Sequence, residues 1–174
     1  MEDTRNVVDK YKGVAHDEIV ADLDANGSSL EIAVDNVERD FNMGTIVRSA
    51  NAFGVRHVHI IGRKQWNKRG AMMTDKYLHV HYYVDGKAFM GAMQGKTVIA
   101  MDNVPGSLPL EQAYLPGNAV LLFGAEGPGI RKELLDTTTA VVKIEQYGST
   151  RSLNVGVAAG IVMYEWTRRH LGQE

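Results

Sequence analysis

The segment Asn42-Met43-Gly44-Thr45-Ile46-Val47-Arg48 has the sharpest chemical content in the chain. Met43, Ile46, Val47 and Ala50 form an apolar stripe at helical spacing, so a helix is predicted to start near Asn42, whose side chain can cap it. Gly44 stands one turn before Arg48 on the same face. Helical side chains lean toward the N-terminus, so the guanidinium of Arg48 is expected to lie over a position without a side chain. A glycine in a first turn is less stable than alanine. Space for a ligand between Arg48 and the preceding loop is its expected reason, against the plainer alternative of an arginine facing solvent.

A second group is cationic. Arg63-Lys64-Gln65-Trp66-Asn67-Lys68-Arg69 places four cations and a tryptophan in seven residues of predicted loop. Cations meet phosphates and an aromatic ring can stack on an unpaired base, so Arg63, Lys64, Trp66, Lys68 and Arg69 are candidate RNA contacts. The formal net charge is only −2, but its distribution is uneven: residues 1–40 carry −7, residues 41–100 carry +7 and the remainder −2. A basic middle in a near-neutral chain is the footprint expected of a local polyanion contact.

Other arrangements carry less. His57-Val58-His59 and His79-Val80-His81 each put two imidazoles on one face of an extended segment, but no carboxylate lies at ligand spacing beside either pair, and no metal is expected. The chain has no cysteine, which excludes disulfides, thiolate metal sites and a cysteine nucleophile. Gly124-Ala125-Glu126-Gly127-Pro128-Gly129 spaces its glycines unlike a dinucleotide loop, and 91–97 is one residue too short for a P-loop and precedes a strand. Ser149 and Ser152 lack the strand-turn-helix signature of a hydrolase nucleophile.

Positioning these groups falls to an alternation of elements. Apolar strands are predicted at 30–34, 58–61, 97–101, 119–123 and 140–144, with helices at 43–53, 85–93, 131–136 and 153–171. Strands alternating with helices make this an α/β fold with a mainly parallel sheet flanked by helices. Residues 119–123 are apolar without interruption, as a strand covered on both faces must be. Four strands are followed by polar loops, and ligands of open α/β sheets bind outside the carboxyl ends of the strands. Glycine, at 18 of 174 residues, exceeds the usual share of about 7% and suits backbone that approaches a ligand closely. Gly156 and Gly160, four apart in an apolar helix, predict close packing against the sheet or a second subunit. Residues 1–28 are expected to form an acidic helical extension before a domain at 29–174. An acidic start and the absence of a long apolar run predict a soluble, cytoplasmic protein without a membrane segment.

Three segments in register resemble the SpoU (TrmH-like) branch of the SPOUT RNA methyltransferases. Asn42-x-Gly44-x-x-x-Arg48 resembles the first motif, Leu122-Phe123-Gly124-x-Glu126-x-x-Gly129 the second, and Ser152-Leu153-Asn154-Val155 with its apolar helix the third. The resemblance runs from about residue 30 to residue 171. It departs at Gly156, where many members carry serine. It implies S-adenosylmethionine as methyl donor, a ribose 2′-hydroxyl as acceptor, a homodimer with the site near its interface, and a deep trefoil knot in the C-terminal part. Arg48, Asn42, Glu126, Ser152 and Asn154 are then the catalytic set. The donor is expected against Met101, Gly124, Gly127, Ile144 and Leu153, and Arg168 is an added phosphate contact. Because an arginine is a poor base, Arg48 is assigned alkoxide stabilisation and phosphate orientation before proton abstraction.

The compact length points to tRNA as the substrate, with rRNA as the same-class alternative. An RNA-binding domain without turnover and a nicotinamide oxidoreductase are the readings from other classes. Retention of the motif residues opposes the first, and the glycine spacing of 124–129 opposes the second.

Overall fold

The computed structural model describes residues 3–36, 42–125 and 127–171. Strand β1 (Glu31–Asn36) and strand β6 (Ala119–Gly124) are buried along their whole length, and they lie side by side in the middle of a seven-stranded sheet. With β2 (His57–Gly62), β3 (His79–Tyr83), β4 (Thr97–Met101), β5 (Leu108–Pro109) and β7 (Ala140–Lys143) the order is β3-β2-β1-β6-β4-β7-β5. Every pairing is parallel. All carboxyl ends therefore emerge on one edge, which is where the polar loops gather.

The pleat divides the strand residues between two cores. Ile32 and Val34 of β1, with Val58, Ile60, Leu121 and Phe123, face α2 (Asn42–Ala52) and α5 (Val155–His170). Met43, Ile46, Val47 and Ala50 of α2 and Ala159, Val162, Met163 and Trp166 of α5 complete that layer. Ala33, Ile61, Val120 and Leu122 face the other way, onto Phe89 of α3 (Gly86–Ala92) and Leu134 of α4 (Lys132–Leu135). The two principal helices touch through small residues. A Cβ on Gly156 would stand 3.0 Å from Cγ2 of Thr45, and one on Gly160 would be 4.0 Å from Oγ of Ser49. The glycine pair is thus spent within the chain, on α2.

The sheet edge has a polar face that no apolar run announces. His57 and His59 on β2 align in register with His79 and His81 on β3. Their rings stack in a ladder with centroids 5.0 to 5.2 Å apart, and Nδ1 of His57 lies 2.9 Å from Nε2 of His81. Glu31 binds both His59 and Lys96 at the inner end, and Tyr83 closes the row. Because β3 reads HVHYY, imidazoles and tyrosines occupy the positions that aliphatic residues hold elsewhere, so 79–81 reads as extended but not as one of the apolar strands. Among the described residues no cluster of three or more His, Asp or Glu has the geometry to hold a metal, and no helix is long and apolar enough to cross a membrane.

The N-terminal segment packs on this body. Tyr11 and Ile19, the latter from α1 (His16–Asn26), bury against Tyr77 in a third small core. Asp24 fixes the end of α1 by binding Arg56 at 2.8 Å and His79 at 2.9 Å.

Candidate active site

The carboxyl ends of β4, β6 and β7 open into one cavity. Met101, Gly124, Gly127, Ile144 and Leu153 all line it, and so does Ser152. Phe123, Val142, Val155 and Ala158 extend its apolar wall, while Asp102, Asn103 and Gln146 add polar groups. The wall from Gly124 to Ile130 is a tight fold-back. Gly129 N donates to Ala125 O at 3.1 Å, with Gly127 at φ 97° and Gly129 at φ 70°. Gly124 permits this approach, since a Cβ there would lie 2.2 Å from the carbonyl carbon of Gly129 and 2.4 Å from N of Ile130. Glu126 lies outside the described residues.

Two acids anchor the fold-back, and neither belongs to the expected set. Asp102 Oδ2 accepts from Ile130 N at 3.2 Å. Asp35, fully buried at the end of β1, accepts from Arg131 through its backbone N, its Nε and its Nη2 at 2.7 to 3.0 Å. The buried carboxylate in turn holds the Arg131 guanidinium firmly protonated, its pKa raised above the ordinary arginine value. A lone acid closing an apolar strand was the available sequence signal for Asp35; nothing in sequence spacing pairs it with a residue 96 positions away.

The second half of the site lies on α2. Asn154 precedes α5 and caps it, its Oδ1 accepting from Gly156 N at 3.0 Å and Val157 N at 3.2 Å. Its Nδ2 donates to Oδ1 of Asn42 at 2.8 Å. The first and third motifs therefore meet side chain to side chain. Arg48 is exposed and makes no hydrogen bond or ion pair with another described residue.

Gly44 serves a different purpose from the one its position suggests. It is buried, and a Cβ would stand 2.7 Å from N of Ala71 and 2.8 Å from Cα of Gly70. The glycine admits the backbone of the 69–71 turn, not a ligand under Arg48. Trp66 also departs from expectation. It is 9% exposed and packs in the main core, so its faces are not open to a base. A tryptophan between polar neighbours looks exposed in sequence, yet its large apolar area favours burial.

The remaining cations stay at the surface. Arg63, Lys64 and Arg69 are exposed, Lys64 lying 5.0 Å from the Tyr82 ring centre. Lys68 pairs with Asp75 at 2.8 Å, and Arg168 pairs with Glu165 on its own helix.

The cavity suits S-adenosylmethionine in the chemistry of its walls. Met101, Phe123, Val142 and Leu153 offer apolar surface for a purine. At Gly127 nothing lies within 4 Å of where a Cβ would be, so bare main chain borders the space. Oε1 of Gln146 is buried without a hydrogen-bond partner, an acceptor still to be satisfied.

Comparison with known proteins agrees with this geometry. Residues 29–164 match the model of the SpoU rRNA methylase family. A tRNA (guanosine(18)-2′-O)-methyltransferase of Borreliella burgdorferi is 26% identical over 152 residues, covering 84% of this chain and 70% of that protein. A structure described by the 2-OH methylation of C/U34 on tRNA superposes with TM-score 0.74 at 28% identity, over 83% of this chain and 97% of that one. The AdoMet-bound rRNA methyltransferase of Sinorhizobium meliloti gives TM-score 0.72 at 28% identity, over 82% and 56%. This chain spans about half the length (54%) of an uncharacterized tRNA/rRNA methyltransferase of Mycobacterium that is 30% identical to it. The cavity at the strand ends, the Asn42–Asn154 contact and the family match lead to one conclusion: the chain belongs to the SpoU rRNA methylase family.

Proposed function

We propose that the protein is an S-adenosylmethionine-dependent RNA 2′-O-ribose methyltransferase acting on tRNA. The observation that carries this reading is the junction of Asn154 with Asn42, which sets the donor-side cavity beside the helix that presents Arg48. Bound S-adenosylmethionine supplies a methyl group on a sulfonium. Met101, Gly124, Gly127, Ile144 and Leu153, which line the cavity, would hold the donor. Asn42, Ser152 and Asn154 keep the acceptor side in register, with Glu126 in the same motif set. Arg48 steadies the ribose oxygen as its negative charge grows and orients the neighbouring phosphate. Methyl transfer is an in-line displacement, so alignment of the two halves supplies much of the rate. Arg63, Lys64, Lys68, Arg69 and Arg168 form the wider cationic surface for RNA.

tRNA is preferred because similarity to the C/U34 enzyme extends over 97% of that chain, so almost no part of it lacks a counterpart here. The same reading makes the protein a cytoplasmic homodimer. Val157, Ile161 and Tyr164 are exposed along one side of α5, with Tyr164 against Phe53, and this apolar stripe suits a second copy. It also includes a division at residues 28/29 and a deep C-terminal knot, supported by the family and by β4 lying between β6 and β7, the strands that follow it.

The test is transfer of labelled methyl to tRNA and, separately, to rRNA, followed by nucleoside analysis. A 2′-O-methylnucleoside from tRNA is expected. Label in rRNA alone would move the substrate to that class, and a base-methylated product would contradict the ribose assignment.

A further inference from the structure

We propose that the cleft between the N-terminal segment and the connection from β2 to β3 is a binding subsite for one unpaired nucleotide of the RNA substrate, separate from the reacting one. The proposal rests on the RNA reading above. Met72 and Met73 form one wall, His16 and Tyr77 another, and Lys76 stands at the rim with Arg5 and Asn6. The base would lie against the methionines and the exposed ring of His16, which the buried Tyr77 backs with ring centres 5.1 Å apart, with a phosphate at Lys76.

Backbone strain is the first argument. Met72 (φ 49°) and Met73 (φ 66°) are consecutive left-handed residues, and they are the only non-glycine residues with positive φ among those described. Each is strained relative to ordinary backbone, and such outliers concentrate where a ligand is held. Exposure is the second. The turn places both side chains outward, 52% and 60% exposed, so two large apolar groups face water at the cleft. Thioethers are polarisable and pack on aromatic faces, so they suit a flat heterocycle.

Charge selects the occupant. Among the described residues no carboxylate lines the cleft, and Lys76 shares its connection with Arg63, Lys64, Lys68 and Arg69. Asp3 and the carbonyls of Tyr11 and Val14 hold Arg5, which fixes the N-terminal wall. The connection is also joined to the site, since Gly70 packs on Gly44 at the start of α2. A nucleotide in the cleft would therefore be held beside the helix that presents Arg48.

The double variant Met72→Gly/Met73→Gly tests this, because glycine accepts the left-handed turn and removes only the side chains. Unfractionated tRNA is the probe, with S-adenosylhomocysteine affinity, thermal midpoint and oligomeric state measured alongside. The expected result is tRNA binding about tenfold weaker, the scale of one lost base stack, with S-adenosylhomocysteine affinity, oligomeric state and salt dependence unchanged and the thermal midpoint equal or higher, since glycine relieves the left-handed strain. Lys76→Ala should lower the slope of log K against log salt by about one. Met72→Asn/Met73→Asn, which also tolerates the turn, should repeat the loss. Undiminished tRNA affinity in both double variants would overturn the subsite while leaving the methyltransferase reading intact. Dissociation of a dimer in the variants would overturn it in favour of an interface between copies. A wild-type protein that binds S-adenosylhomocysteine but no RNA would overturn the RNA reading and the subsite together.

Discussion

Asn154 caps helix α5 with one end of its amide and reaches Asn42, 112 residues earlier in the chain, with the other. One side chain thereby joins the helix behind the cavity at the strand ends to the helix that presents Arg48. Asn154→Asp separates the two duties. An aspartate still caps, but it cannot donate to Oδ1 of Asn42. Stability should stay within about 0.5 kcal/mol of wild type, while methylation falls at least tenfold. Asn154→Ala should also lose the cap, at about 1 kcal/mol. Equal activity in Asn154→Asp and wild type would show that the contact does not align the site.

Gly124→Ala tests the wall of the cavity. The added Cβ would meet main chain at 2.2 Å, and no flexible side chain is there to yield. The fold-back must open, costing about 1–3 kcal/mol. Calorimetry should find S-adenosylhomocysteine affinity reduced tenfold or more; an unaltered affinity would place the donor elsewhere.

Arg131→Ala would leave the buried Asp35 carboxylate without its cation, held only by the backbone N–H of residue 131. Breaking such a pair costs about 3–5 kcal/mol, whereas replacing both members with apolar residues is far milder. Urea denaturation should show a large loss for the single variant and recovery in Asp35→Leu/Arg131→Leu. Comparable losses in both would mean that the carboxylate itself, not its isolation, is what matters.

The histidine ladder predicts a pH dependence of stability. Burial pushes the His57 and His81 imidazoles below the ordinary value of 6.5. Well above pH 6.5 both folded and unfolded forms are neutral and stability is complete. Below it the unfolded chain takes up protons that the ladder refuses, so stability falls with pH. Burial works against the charge of Glu31, but hydrogen bonds from His59 and Lys96 outweigh it and hold the carboxyl at about 2, so a further loss spans roughly pH 4.5 to 2. Asp24, His79 and Tyr83 face the same row. His57→Leu/His81→Leu removes both partners of one hydrogen bond and should flatten the slope between pH 7 and 5. An unchanged slope would assign the dependence to other groups.

The strand and loop that wall the cavity were readable in sequence because their parts are local, whereas only the family resemblance tied them to a methyl donor. An uninterrupted apolar strand followed by glycines at 124, 127 and 129 specifies a covered strand and a tight loop without reference to anything distant. What the glycines admit was not readable. Gly44 was expected to clear space for a ligand, yet it clears space for Gly70 and Ala71, whose approach depends on a connection outside any local pattern. Trp66 misled in a related way, since its polar neighbours face water while its ring turns into the core. Strand β3 escaped because its inward positions are histidines and a tyrosine that satisfy one another across strands. The Asp35–Arg131 pair joins residues 96 positions apart, and only the sheet order brings them together.

The most direct test of the account is Arg48→Ala measured two ways, by methyl transfer to tRNA and by calorimetric binding of S-adenosylhomocysteine. Arg48 stands on α2 outside the lining of the donor cavity and contacts no described residue through hydrogen bond or ion pair. Methylation should therefore fall at least a hundredfold, within the range for loss of one preorganised donor to a developing oxyanion, about 10²–10³. Donor affinity should stay within about twofold of wild type. A parallel loss of both would place Arg48 in the donor cavity and contradict the division of the site into two halves.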